Sequence, residues 1–309
     1  MPVRPFRFGI QLRGAASRDE WVAKARQVEA LGYDTLQVAD HFPRGLGAFI
    51  ALATAAAVTD QIRVGTFVLA NDFRHPANLA KEAATLDLFS DGRLELGIGA
   101  GWLRSEYEET GIPFDSAGVR IDRLAEAIPL IKRLWTGESV DHHGRFYTVT
   151  GLSILPRPAQ MPHPPILVGG GGKRVLSLAA RHADIVALNP RATPEGTQDR
   201  SDMTAAATER KLTWIHDAAG GRFPEVELNI VLLRVVVTDD HEAIAQALAE
   251  EFSLTPAEVH ASPHLLLGTA DEMAETIRER RDRHGISYIS VTEDALESFA
   301  PVIDRLAGK

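Results

Sequence analysis

The chain of 309 residues contains no cysteine. Disulfides, thiolate metal centres and a cysteine nucleophile are therefore excluded. The same absence fits a reducing compartment, so a cytoplasmic location is expected. Long apolar runs are missing as well. No stretch approaches the ~18 apolar residues of a membrane span. The first residues, MPVRPFRFGIQL, carry neither an apolar signal core nor a small-residue cleavage site. No membrane partner is expected. The net charge is −9, and no run of Lys and Arg forms a basic face, so no nucleic-acid partner is expected either. An anionic ligand would have to be held by a local site, not by the field of the whole molecule. Several chemical signatures are also absent: the His-Glu-x-x-His zinc helix, the Gly-x-Ser-x-Gly elbow and the Gly-Lys-Ser/Thr ending of a P-loop. Asp141-His142-His143-Gly144 sets two histidines before a glycine, which reads as a hairpin turn, and no metal is expected.

What is present is an alternation. Hydrophobic residues make up 45% and charged residues 24%, ordinary for a globular protein with a large core. Apolar runs at 6–11, 35–38, 63–69, 94–99, 166–168, 184–188, 226–237 and 286–291 read as strands. Each is followed by a stretch with helical spacing, such as Trp21, Val22, Ala25, Val28 and Leu31 in 19–31. The runs are continuous rather than alternating, as in a parallel sheet buried on both faces. Eight such units favour a (β/α)8 TIM barrel, an α/β fold, over an open doubly wound sheet, which the count alone leaves as the alternative. One domain over 1–309 is expected, with insertions near 138–165 and 190–226. The first contains a hairpin and five prolines in 156–165. The second is a strand-end excursion able to cover the barrel mouth. Asp294 and Glu297 read as the solvated face of a last helix over 295–306.

In a barrel the chemistry collects where strands end. After the second strand come Asp40 and His41, a pair able to position or transfer a proton, or a turn cap and a packed ring. After the fourth comes Gly97-Ile98-Gly99-Ala100-Gly101-Trp102. It lacks the third glycine of a dinucleotide fingerprint, and it either admits a flat ligand or makes a tight turn. After the fifth come Gly169, Gly170, Gly171 and Gly172, then Lys173 and Arg174. Backbone N–H groups at a helix start with two cations beside them favour a phosphate site.

Taken together, these strand ends resemble the bacterial-luciferase-like superfamily. The resemblance runs through Val38-Ala39-Asp40-His41-Phe42, Val64 to Leu69, Phe73-Arg74-His75-Pro76, Lys81 to Asp87, Gly92 to Trp102, Glu106-Tyr107 and Gly111-Ile112-Pro113-Phe114. Within the superfamily the chain is most similar to the branch that uses the deazaflavin coenzyme F420. The resemblance implies a barrel with insertions and a tricyclic ring across its mouth. It implies a non-proline cis peptide at Phe67–Val68 behind the ring, ring contacts at Asp40, His41, Ala100 and Gly101, and a phosphate tail at Gly169 to Gly172. His41 is then the proton donor or acceptor, with Asp40 orienting it or the ring. The family's sugar-phosphate dehydrogenase has a tryptophan and an acid where Arg44 and Trp102 stand here. Trp102 would instead make an apolar substrate pocket for a small organic substrate. Hydride transfer with F420 is the first reading. An FMN-dependent monooxygenase is the alternative, and a cofactor-binding protein without turnover is the third. The family is often dimeric, so a homodimer is a further expectation.

Overall fold

The apolar runs become the staves of a barrel, and several of them end at a local stop such as Gly99, Gly170 or Asn189-Pro190. The computed structural model describes residues 4–193 and 195–309. Residues 1–3 and Pro194, which fall within the expected domain and its second insertion, lie outside them. The first half runs β1 (Arg7–Leu12), α1 (Arg18–Ala30), β2 (Thr35–Val38), α2 (Ala48–Ala56), β3 (Arg63–Thr66), β4 (Leu69–Ala70), α3 (Pro76–Phe89), β5 (Leu94–Gly99), α4 (Arg104–Thr110) and α5 (Ala117–Trp135). An antiparallel hairpin follows, β6 (Val140–His143) and β7 (Thr148–Leu152). The second half runs β8 (Ile166–Gly170), α6 (Lys173–His182), β9 (Ile185–Leu188), α7 (Ala205–Ala219), β10 (Glu227–Leu232), β11 (Arg234–Val237), α8 (His241–Phe252), α9 (Pro256–Ala261), β12 (Leu265–Gly268), α10 (Ala270–His284), β13 (Ile286–Thr292) and α11 (Ala300–Leu306).

The main sheet has the order β3-β2-β1-β13-β10-β9-β8-β5-β4, and β3 pairs again with β5, so it closes. All its pairings are parallel. With β3 and β4 as two halves of one stave, this is the expected eight-stranded α/β barrel. Every residue of β2, β5, β9 and β10 is buried, as strands covered by helices outside and side chains inside must be. Local chemistry starts the helices. Ser17 accepts from the Glu20 N–H at the head of α1, and Pro76 occupies the first turn of α3. Thr269 and Glu272 form a reciprocal capping box on α10.

Four expectations need correction. The run 63–69 is not one strand: the ladder breaks at Phe67–Val68, whose peptide is cis. The run 226–237 is also two strands. The Leu233 N–H donates to His264 O, the chain leaves the barrel, and β11 pairs with β12, a strand absent from the sequence reading. Residues 233–269 are therefore an insertion in their own right, with a separate core around Leu248, Phe252, Val259 and Leu267. The expected insertion at 190–226 shrinks to 189–204, because α7 is the ordinary helix between β9 and β10. The last helix begins at Ala300. Asp294 lies in a short turn and binds Arg13 instead of forming a helix face, while Glu297 accepts from Gln27.

At the N-terminal end of the staves, charged groups plug the barrel. Arg7 donates to Glu227 Oε2 (2.7 Å) and to Glu95, and Arg63 Nε donates to Glu95 Oε1 (2.7 Å). Tyr288 donates to Glu95 Oε2 (3.1 Å) beneath the Arg7 guanidinium, 4.4 Å from the ring centre. Two cations and two anions thus balance away from the mouth.

His264 sits where the insertion returns. It is fully buried, and its Nδ1–H donates to Val231 O (3.0 Å), leaving Nε2 with no partner. Burial pushes its pKa down to about 4. The unfolded chain takes up a proton near pH 6.5, and the folded chain does so only near pH 4. Stability is therefore full above the higher value and is lost as pH falls between the two, by about 3 kcal/mol in all. Denaturant melts of the parent and His264→Asn from pH 7 to 4 should show the smaller acid loss in the variant. Parallel curves would remove His264 as the cause. Among the described residues, no helix is long and apolar enough to cross a membrane.

Candidate active site

The C-terminal ends of the staves surround a cavity of about 610 Å³. Asp40, His41, Phe67, Val68, Ala100, Gly101, Trp102 and Gly169 to Gly172 line it, whereas Lys173 and Arg174 do not. The structure brings them together, but it redistributes their tasks.

His41 follows β2. Its Nδ1 lies 2.8 Å from Glu106 Oε1, and the same oxygen accepts the Phe42 N–H at 3.2 Å. Glu106, on α4, keeps only 3% of its side chain exposed. A carboxylate accepts, so Nδ1 carries the hydrogen, and Nε2 is the nitrogen without a protein partner among the described residues. Trp102 meets the imidazole edge-on at 6.3 Å. The resemblance at Glu106-Tyr107 attaches no role to Glu106. Its position 65 residues beyond His41 hides the pairing. Among the described residues, Asp40 makes its hydrogen bonds elsewhere than to His41. Its carboxylate holds Arg74 through two bonds (2.5 and 2.9 Å) and the Ala70 N–H (3.2 Å), so it braces the end of β4 and the turn after it.

The bulge at Phe67–Val68 explains the glycines of β5. A Cβ on Gly97 would stand 1.9 Å from Thr66 O, a backbone atom. Gln11 Nε2 donates to Phe67 O (3.3 Å) from the β1 side. Gly101 is required by a different neighbour. Its φ is +74°, and its Cβ would lie 1.8 Å from Tyr107 Oη. Burial, then Asp72 facing the hydroxyl, pushes the Tyr107 pKa well up, so the phenol stays protonated and donates to Asp72.

Only two of the four consecutive glycines stand before α6, because Gly169 and Gly170 end β8. Gly172 is the N-cap, with no side chain to satisfy the first turn. Lys173 and Arg174 sit in that turn, where the helix dipole disfavours cations unless an anion is near. Arg174 binds Asp122 on α5. Arg120, also on α5, lies 4.0 Å over the Phe114 ring, with its Nε buried and without a partner. Burial lowers its pKa.

The wall after β9 is pinned from below. Lys211 is fully buried, bonded to Asp202 Oδ2 (2.7 Å) and donating to Asn189 O (2.9 Å), while Asp202 accepts the Arg191 N–H (2.8 Å). The segment expected to cover the mouth is thus a fixed wall where it meets the cavity. The Asp141–Gly144 stretch is the hairpin edge, with His142 bonded to Glu126 (3.0 Å). Among the described residues, no cluster of three or more His, Asp or Glu could hold a metal ion.

Residues 3–302 match a family model described as luciferase-like monooxygenase. The F420-dependent glucose-6-phosphate dehydrogenase of Kribbella flavida is 32% identical over 298 residues, 92% of this chain and 84% of that protein. The oxygenase component of the flavin-dependent trigonelline monooxygenase of Acinetobacter baylyi is 34% identical over 209 residues, 67% of this chain and 54% of that protein. The matched stretch thus spans about half the length of that relative. In three dimensions, the F420-dependent tetrahydromethanopterin reductase of Methanopyrus kandleri superimposes with a TM-score of 0.78 at 18% identity, over 98% of this chain and 99% of that one, which concerns the fold alone. With a barrel, a strand-end cavity and a match along nearly all of its length, the chain is an enzyme of the luciferase-like monooxygenase family.

Proposed function

We propose that the chain is an F420-dependent oxidoreductase that moves a hydride between the deazaflavin and a small organic substrate. One observation carries this reading: the His41–Glu106 pair opens into the same cavity as the glycine-lined start of α6, Gly171 and Gly172. The cavity suits a planar group, with Phe67 and Val68 behind it and Ala100 and Gly101 at its side. Gly171, Gly172 and the first turn of α6 would hold an anionic tail, helped by Arg174 and by Arg120 with its unpaired Nε. When bound, the deazaflavin supplies two-electron hydride chemistry, which no side chain can supply.

The residues do the rest. His41 Nε2 takes or gives the proton that accompanies reduction or oxidation of the substrate. Glu106 fixes the tautomer and stabilises the imidazolium when it forms. Trp102 and Phe67 give the reacting face an apolar wall that keeps water out. Asp40 shapes the site through Arg74 and Ala70.

The 34% identity to the trigonelline oxygenase component supports a second reading, an FMN-dependent monooxygenase working with a separate reductase. A protein that binds cofactor without turnover is the weaker third, because a buried carboxylate on a cavity-facing histidine has little use there. Titration with F420 and FMN side by side tests the first against the second. Saturable quenching of deazaflavin fluorescence, weakening as salt is raised, is expected. Tight FMN binding without deazaflavin quenching reverses the order.

A further inference from the structure

The cavity mouth bears a cation that neither the fold nor the proposed cofactor uses. Six charged side chains line it: Arg13, Asp40, Arg44, Glu106, Arg120 and Arg191. Arg13 is neutralised by Asp294 (3.1 and 2.5 Å) and Arg191 by Asp199 (2.6 Å). Asp40 holds Arg74, and Glu106 holds His41. Arg120 is packed on Phe114 and donates to Gly101 O and Asp115 O. Arg44 alone among them has no hydrogen bond, ion pair or aromatic face among the described residues.

Its backbone is nevertheless held. Gly45, with φ +88°, packs on the loop after β1, where a Cβ would meet Arg13 O at 3.0 Å. The Arg13 N–H is in turn fixed by Glu293 Oε2 (2.7 Å). The arginine is thus presented at the mouth on a braced loop, three residues after His41, and lines the same cavity as Trp102. It also lies away from the expected tail. Around the barrel, β2 is separated from β8 by β3 and β5 on the shorter side, so an anion at α6 is held by another part of the rim.

We propose that Arg44 anchors an oxyanion on the substrate, which makes the substrate an organic acid whose body lies along Trp102 within reach of His41. A carboxylate and a phosphate monoester both present two adjacent anionic oxygens that a planar guanidinium grips. The proposal rests on the oxidoreductase reading for the substrate's location, not for the anion preference itself.

The test uses the whole protein loaded with whichever cofactor binds, and three matched probes: benzoate, phenyl phosphate and benzamide. Calorimetry should show at least one anion binding about ten-fold or more tighter than the neutral amide. Arg44→Gln should erase that preference, and Arg44→Lys should restore part of it, with cofactor affinity unchanged in both. The tighter anion identifies the group as carboxylate or phosphate. Equal binding of all three probes to the parent protein overturns the proposal, and so does a preference that survives Arg44→Gln. If neither cofactor binds, the oxidoreductase reading fails, and the same probes measured without cofactor still decide the anion site.

Discussion

His41→Ala is expected to lower turnover by about 10²–10⁴-fold while cofactor affinity stays within a few-fold of the parent. The imidazole is the one histidine lining the cavity among the described residues, and its inner nitrogen is already occupied. With Nδ1 committed to Glu106 at 2.8 Å, the proton traffic is confined to Nε2. Glu106→Gln keeps a hydrogen-bonding group of the same size but removes the negative charge that supports the imidazolium. It should cost less than His41→Ala, fall mainly on kcat, and move the inflection of the pH–rate profile, which a merely structural residue would leave in place. Asp40→Asn provides the contrast. Its carboxylate braces Arg74 and the Ala70 N–H, so its loss should appear in cofactor affinity with the inflection unmoved. Near-normal turnover in His41→Ala would take this residue out of the mechanism.

Glu95→Ala should remove about 3 kcal/mol or more of stability, read from denaturant unfolding, because it leaves Arg7 and Arg63 facing each other in the barrel floor without their shared carboxylate. Those arginines keep 22% and 27% of their side chains in contact with water, which places the loss at the lower end of the range for broken buried pairs. Glu95→Gln retains an acceptor for Tyr288 and Arg63 and should lose less. Both variants should bind cofactor normally, since the floor and the mouth lie at opposite ends of the staves. An unchanged unfolding midpoint in Glu95→Ala would mean that the plug contributes nothing net.

The barrel was legible because its signal is repetitive. Thr35–Val38, Pro76–Phe89 and Leu94–Gly99 are bounded by residues whose local chemistry agrees with the global fold, and these elements stand where the pattern puts them. Legibility fails where a long-range contact decides. The run 226–237 is rich in β-branched residues at both ends, and only the bond from Leu233 to His264 shows where the barrel stave ends. The four residues of β12 lie between two helices and exist as a strand only because β11 offers an edge. The glycine run tells a similar story. Two of its members finish a strand, and Gly171 is crowded by the backbone of Arg191, 2.5 Å from where its Cβ would be. At the site, the residue types were readable and their partners were not. Nothing near Asp40 in sequence points to Arg74, and nothing near His41 points to Glu106, because the barrel brings each pair together through separate staves.

The closure of the barrel has a consequence for how the protein is made. β1 is flanked by β2 on one side and by β13 on the other. During synthesis β1 emerges long before its second neighbour, which follows every other stave in the sequence. Until then the nascent chain carries an open strand edge, able to template pairing with another chain. Such late, non-local pairing slows folding and prolongs exposure to aggregation. Yield in a heterologous host should therefore depend on chaperone supply and translation rate more than on the finished protein's resistance to heat.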